Sequence, residues 1–476
     1  MTEPLRCLPA SKVLWLSVRS ATGGGEPHPR RRIVFAIVSL ALFMASVDQT
    51  IVATALTAIQ RDLDAPLNWS AWTITIYALG QIVAMPLAGK ISDQYGRKKV
   101  FLLAAALFTV ASLCCGLVND IYLLVVCRAL QALGGGAFMP SATGIVADQF
   151  GRGRDRAIGM FASIFPIGGI VGPIIGSVVV TYWSWREVFL VNVPVGIALI
   201  ALGLVFIPHS PPKVTGKTDV RGVLLLVLLI LSLMYGITSL GAAGSSPLDP
   251  VFLVSEAFAV VMAVLFARHT RRVAEPFIPP QLLRGKGFAV MNVINLLYGT
   301  AAMGLGALVP LYAEHRFAMP ALEAGTLLTA RAIGMISIAS IAVLALRRTG
   351  YRLPMLVGFI LVAGGMLAMA LHPVGMSPYL WLAIAAGATG VGMGMSVPAA
   401  NNASLQLAPE QVAAIAGLRG MFRQSGAIVA VSMTTAIVAR SGDPGATLGH
   451  AFMIFAAMLV CILPLIRAVP DHRGTW

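Results

Sequence analysis

Asp48 is the one ionisable residue in the apolar run Ile33–Ile59. At about 1.5 Å of helix per residue, such a run crosses a bilayer with tilt to spare. An acid in mid-span costs roughly 2.5 kcal/mol or more to insert, so its side chain must face a cavity or a partner rather than lipid. Two chemistries fit: a neutral acid hydrogen-bonded inside a helix bundle, or a group that takes and releases a proton during a transport cycle. Arg128, inside a later apolar run, could partner it. Asp48 lies about 17 Å of helix from the outer end of its run and Arg128 about 11 Å from the outer end of its own, a difference that an arginine side chain spans. The cation would favour the charged acid and desolvation the protonated one, the balance a proton carrier needs. Such a carrier must open towards a gap between helix bundles; sealed in packing, it could not exchange with solute.

Other charged residues in apolar runs are few. Arg331, Arg419 and Arg423 are cations, and Arg419 and Arg423 share one helix face. They either cap carbonyls and snorkel, or line a cavity and disfavour purely cationic substrates. Glu256 more readily faces a neighbouring helix than a pathway. Gln49, Tyr77, Gln81, Phe165, Asn292, Asn295 and Tyr298 could add polar and aromatic contacts to a substrate cavity, although such stripes serve packing as readily. No histidine or cysteine spacing suggests a metal site or a disulfide framework.

These residues need membrane helices to hold them. The 476 residues are 58% hydrophobic and 11% charged, against roughly 25% charge in soluble domains. That is a polytopic membrane protein, and its net charge of +15 is read as basic loops facing anionic lipid rather than as a nucleic-acid surface. Apolar runs fall near 33–59, 71–88, 100–118, 121–147, 157–182, 187–208, 220–243, 250–267, 287–313, 321–346, 353–371, 378–400, 411–439 and 447–467. Fourteen spans place both termini on one side, and of the 34 lysines and arginines, 26 then fall on the inside and four outside. The expected layout is a disordered cytoplasmic tail (1–32), a six-helix bundle (33–208), a helix pair (209–268), a cytoplasmic loop (269–286), a second six-helix bundle (287–467) and a short tail (468–476). Residues 1–29 do not resemble a cleavable signal.

The loop from Gly89 to Val100 joins the second and third spans. Gly89 lets two helix ends approach, Gly96 permits a turn with positive φ, and Asp93 can meet a helix N-terminus or an arginine in only one arrangement of the bundle. With Arg97 and Lys98, its pattern G-x-x-x-D-x-x-G-R-K-K resembles the signature loop of the major facilitator superfamily. Arg128-Ala-Leu-Gln-Ala-Leu-Gly-Gly-Gly136 is similar to that family's R-x-x-Q-G segment, with Ala132 in place of the usual glycine. Gly168, Gly172, Pro173 and Gly176 resemble its antiporter signature, G-x-x-x-G-P-x-x-G. Glycines four apart share a helix face and allow tight contact, and the proline adds a kink. Val47–Leu56 and Trp185–Gly196 resemble the first and sixth spans of the fourteen-span drug:proton antiporters. The equivalent second-half segment, Leu346–Arg352, lacks the acid and the first glycine, which puts the conformational latch in the first half.

The resemblance implies an all-α fold, two six-helix bundles with an inserted helix pair, and export of amphipathic molecules in exchange for protons across a bacterial plasma membrane. A dedicated exporter of one metabolite or antibiotic is the alternative. The expected partners are protons, small amphipathic substrates and the lipid bilayer, with no nucleic acid, no cofactor and a monomer as the working state. A membrane enzyme would need acids, histidines or nucleophiles clustered at one depth, and a sensor would need a soluble domain. Neither pattern is in the sequence.

Overall fold

A computed structural model describes residues 30–471, apart from 66, 211–218, 241–245, 274, 275, 277, 286, 372–374 and 439. The expected tail therefore lies outside the described residues up to position 29. The described chain is helical throughout. In lipid a backbone must satisfy its own polar groups, and helices do this within each apolar run.

In the first half these are α1 (Arg31–Asp62), α2 (Leu67–Tyr95), α3 (Arg97–Leu117), α4 (Ile121–Phe150), α5 (Arg154–Ala162), α6 (Ile164–Tyr182), α7 (Glu187–Leu190) and α8 (Asn192–Phe206). The middle of the chain holds α9 (Val220–Ser239), α10 (Pro250–Arg272) and the short α11 (Pro280–Arg284). The second half is built from α12 (Phe288–Tyr298), α13 (Leu305–Phe317), α14 (Ala321–Thr349), α15 (Arg352–Ala370), α16 (Pro378–Gln406), α17 (Val412–Val438) and α18 (Pro444–Ile462). Helix starts follow local chemistry: Asp120, Ser377 and Asp443 each accept an amide three residues on. Pro250, Pro378 and Pro444 sit in first turns, where an amide has no partner to lose.

Among the described residues, eleven segments are long and apolar enough to cross a membrane. The stretches expected near 321–346 and 411–439 are also helical, as α14 and α17. The stretch near 287–313 is interrupted by a π-helical turn at Gly299–Met303.

Helix packing separates two cores. In one, α1 lies along α6, and α2 and α3 lie along α4. Phe138 stands 5.7 Å from Phe101 and 5.6 Å from Phe108, ring to ring. In the other, α14 and α15 lie along α16, and α15 meets α18. Tyr298 stacks on Phe359 at 5.3 Å, and Tyr312 meets Phe452 at 5.1 Å. The helix pair α9–α10 leans on α2 and α17, with Trp72 5.7 Å from Tyr235, and α17 crosses to pack along α2 of the first half.

Candidate functional site

Three sites lie between or within the two halves. The first centres on Asp48. Its Oδ2 stands 2.7 Å from Arg128 Nη1, and both side chains are 0% exposed. Oδ1 accepts from Gln131 Nε2 and Asn192 Nδ2, each at 2.9 Å. Arg128 also donates to Gln131 Oε1 at 2.7 Å and, through Nε, to the Thr73 carbonyl at 3.2 Å. Its guanidinium lies 4.0 Å above the Tyr77 ring and 5.5 Å from that of Phe189. Ser112 Oγ receives from Gln131 and Asn192 and donates to the Phe189 carbonyl.

Residues of six helices, α1 to α4, α7 and α8, thus build the network around this carboxylate. Charge-assisted hydrogen bonds of this kind are short and strong, and separating the pair would leave a charge buried without compensation. Asp48 faces a partner, as expected of a mid-span acid, but it is enclosed by the first half and does not open towards the gap between bundles. Direct proton exchange between this carboxyl and an inter-bundle cavity therefore does not occur in this arrangement. Gln131 and Asn192 both occupy Oδ1, Arg128 occupies Oδ2, and the side chain has no exposed surface. Gln131 sits three residues from Arg128, hence on the same helix face. It and Asn192, a polar residue opening the apolar α8, were legible as candidates from those two facts.

The second site is the junction of halves at the end of the bundle bearing residues 89–100, which we call the basic end. Those residues are almost wholly helical rather than a loop: α2 continues to Tyr95, and the chain breaks at Gly96, whose φ of 98° only glycine adopts without strain. Asp93 makes both contacts open to it. Its Oδ1 pairs with Arg97 at 3.0 Å, and its Oδ2 accepts the Ala414 amide in the first turn of α17 at 3.1 Å. Arg97 also binds Asp148 at 2.8 Å and the Gly144 carbonyl, and Lys98 donates to the Leu204 carbonyl at 2.7 Å. A Cβ at Gly89 would stand 2.5 Å from the Ala413 carbonyl oxygen, so the bare backbone is what lets α2 reach α17.

Sequence reasoning did not single out Asp155, which forms a second contact across the halves. Its carboxylate accepts from Gln406 at 3.2 Å and Tyr351 at 3.4 Å, and its carbonyl accepts from Asn402 at 3.1 Å. The acid missing from Leu346–Arg352 is supplied from elsewhere: Asp471 accepts the Tyr351 amide at 2.8 Å beside Gly350. Among the described residues, hydrogen bonds between oxygen and nitrogen that join the halves gather at this end. The bundle is closed there.

The third site is a cavity of about 230 Å³ at mid-depth between the halves. Gln49 and Phe165 border it from the first half and Arg331 from the second, with Ser46, Thr50, Leu328 and Met335. The other cavity candidates lie elsewhere. Tyr77 and Gln81 are buried inside the first half, Tyr77 against Arg128 and Gln81 against Gly136. Asn292 donates to the Leu282 carbonyl at 2.9 Å, and Asn295 folds back on the Met291 carbonyl at 2.7 Å. Tyr298 is stacked in the second core, and Arg423 is buried between α17 and α4, its Nη2 3.8 Å from Met139 Sδ. Gly168, Gly172 and Gly176 form a close seam between α6 and α1, where added Cβ atoms would strike Ser46, Thr50 and Thr54. Pro173 lies inside α6, within this seam.

The sequence profile described as Major Facilitator Superfamily matches residues 38–431 and again 291–475, and the chain belongs to that superfamily. It is 29% identical to a multidrug transporter protein, MdtP, of Bacillus subtilis over 88% of this chain and 77% of that one. It is 30% identical to the tetracenomycin C resistance and export protein of Streptomyces glaucescens over 87% of this chain and 76% of that one. Among solved structures, the proton:xylose symporter XylE bound to 6-bromo-6-deoxy-D-glucose has the same fold. That comparison gives a TM-score of 0.69 at 14% identity, covering 94% of this chain and 98% of XylE.

Proposed function

We propose that this chain is a proton-coupled antiporter that exports small amphipathic molecules across a bacterial plasma membrane by alternating access. The observation that carries the reading is the cavity between two halves that are tied by cross-bundle hydrogen bonds at the basic end. A transporter must break and remake such ties in each cycle, and substrate sites in these folds lie near the midplane between repeats. Relatives named for multidrug transport and antibiotic export support the direction.

In this reading the chain crosses the membrane fourteen times, α9–α10 is the inserted pair between two six-helix bundles, and the chain works as a monomer. The basic end faces the cytoplasm with both termini, as the distribution of 34 lysines and arginines favours. The present arrangement is then closed to the cytoplasm. Asp48 carries the coupled proton, with Arg128 as its switchable partner, and reaches the cavity in another stage of the cycle in which Gln131 or Asn192 withdraws. One entering proton supplies about 2.3 kcal/mol per 100 mV and about 1.4 kcal/mol per pH unit.

The test is proton release from reconstituted vesicles on adding cationic, neutral and anionic drugs. Drug-dependent release is expected from the wild-type protein and not from Asp48→Asn. Unaltered release by that variant assigns the proton to another group. A dedicated exporter of one compound is the second reading, favoured by the relative named for tetracenomycin C alone; a response confined to one drug in the panel would select it.

A further inference from the structure

The charge around the central cavity is one-sided. Arg331 borders it, and its Nη2 is engaged only by neutral groups, the Ala302 carbonyl at 2.8 Å and Met393 Sδ at 3.1 Å. Arg423 is buried against the Met139 thioether. Arg419, one helical turn away on the same face, has Nε and Nη1 buried without a hydrogen-bond partner. Tyr298 lies within electrostatic reach of both Arg331 and Arg423, so the three guanidinium groups form one region of positive potential running from the cavity towards the basic end.

Among the described residues no carboxylate pairs with any of the three. The buried aspartates are committed elsewhere: Asp48 to Arg128, Asp93 to Arg97 and Ala414, and Asp155 to Gln406 and Tyr351. A cation held in low dielectric with neutral partners is electrostatically incomplete. A guanidinium has five donors in a planar fork matched to a carboxylate, and Arg331 leaves much of that fork free. The backbone makes room for it, since a Cβ at Gly306 would stand 3.0 Å from Arg331 Nη1.

We propose that this cavity binds the acid group of a compact organic anion, with Arg331 as its direct partner and Arg423 and Arg419 as a deeper reserve of positive charge. Phe165, Leu328 and Met335 take the apolar body. A volume of about 230 Å³ falls below the roughly 300–1,000 Å³ of drug-sized sites, which sets the ligand as compact. A lipophilic cation would meet repulsion and no counter-charge. This assignment rests on the transport reading only in taking the cavity as the substrate site.

Equilibrium binding to the full chain purified in detergent tests it, by calorimetry and by thermal shift, with three isosteres as probes: 1-naphthoate, 1-naphthamide and 1-naphthylmethylammonium. The carboxylate is expected to bind roughly tenfold or more tighter than the amide, and the ammonium weakest. Arg331→Gln lowers carboxylate affinity by roughly tenfold while leaving the amide unchanged, and Arg331→Lys restores part of the loss. The proposal is overturned if the ammonium binds as tightly as the carboxylate, if no carboxylate binding is detected, or if Arg331→Gln binds carboxylate with wild-type affinity. Should the variants fail to fold, the ranking of the three probes on the wild-type protein decides. Binding in detergent needs no gradient, so failure here leaves the exchange reading intact, and loss of drug-dependent proton release leaves this assignment intact.

Discussion

The two halves treat buried arginine in opposite ways. In the first, Arg128 meets a carboxylate at 2.7 Å, a glutamine oxygen, a backbone carbonyl and an aromatic face. In the second, Arg331 and Arg423 have carbonyl or sulfur partners, and Arg419 has two nitrogens with none. Arg128 also keeps one buried nitrogen, Nη2, without an acceptor, so what separates the halves is the counter-charge and not the number of hydrogen bonds. A balanced charge locks a structure, whereas a cation without a counter-charge is a demand that a ligand can meet. In the anion proposal the cation that meets the substrate therefore comes from the second half, and the first half holds the balanced charge.

Breaking each side separately gives the largest contrast. Arg128→Leu leaves Asp48 buried without its counter-charge and is expected to cost about 3–5 kcal/mol of stability. Arg419→Leu removes a buried donor set that has no acceptor, and is expected to be neutral or stabilising by about 1–3 kcal/mol. Denaturant unfolding of both variants in one detergent measures the two signs directly. Equal destabilisation by both would mean that Arg419 has a partner the contacts do not show, and the contrast between halves would fail.

The next effect concerns the tie between halves rather than either interior. Asp93→Asn replaces a charged acceptor at the first turn of α17 and weakens the pair with Arg97. A carboxylate at a partly buried helix N-terminus is worth up to about 2 kcal/mol, so the closed basic end should open by up to roughly 30-fold in population. A cysteine replacing Val412, buried at the start of α17, reports it as a rise in its labelling rate by a thiol reagent. An unchanged rate would move the latch to Asp155, whose partners Gln406, Asn402 and Tyr351 lie across the same junction.

How much of this the sequence discloses depends on the range of the interaction. The apolar runs, the kink-forming prolines and the break at Gly96 are local, and they read directly. Asp48 and Arg128 stand out because a lone charge in an apolar run has to be answered. Asp93 reads as a latch because few residues in that segment can reach a neighbouring helix end. Gln131 and Asn192 are neutral, so nothing in composition forces a partner on them, and their convergence on Asp48 appears only when four chain segments are folded together. For the same reason the sequence could not show that the carboxylate is wholly enclosed. Asp155 was hidden among the arginines at 152, 154 and 156, where an acid looks like local charge balance. The stripe Asn292, Asn295 and Tyr298 has helical spacing suited to a cavity, yet its amides turn to backbone carbonyls: Asn295 to that of Met291 one turn back, and Asn292 to that of Leu282 in the neighbouring α11.

A third arginine–aspartate pair isolates burial as the variable and has the smallest expected effect. At the far end of the bundle Arg186 Nη1 stands 2.5 Å from Asp62 Oδ2, with Trp185 Nε1 donating to the same oxygen at 3.0 Å. The side chains are 28% and 48% exposed, against 0% for Arg128 and Asp48. The hydrogen bonds from Arg186 and then Trp185 hold the Asp62 carboxyl below its ordinary range. As pH falls the unfolded carboxyl takes up its proton first, near pH 4, so the pair's contribution is full above that value and fades on further acidification. Water and salt screen a pair this open, so its contribution is small at physiological ionic strength. Asp62→Asn should therefore leave stability at pH 7 nearly unchanged and flatten the decline below pH 4, as read from unfolding midpoints along a pH series. A loss at pH 7 comparable to that of Arg128→Leu would show that burial is not what separates these pairs, and the charge argument for the interior would lose its basis.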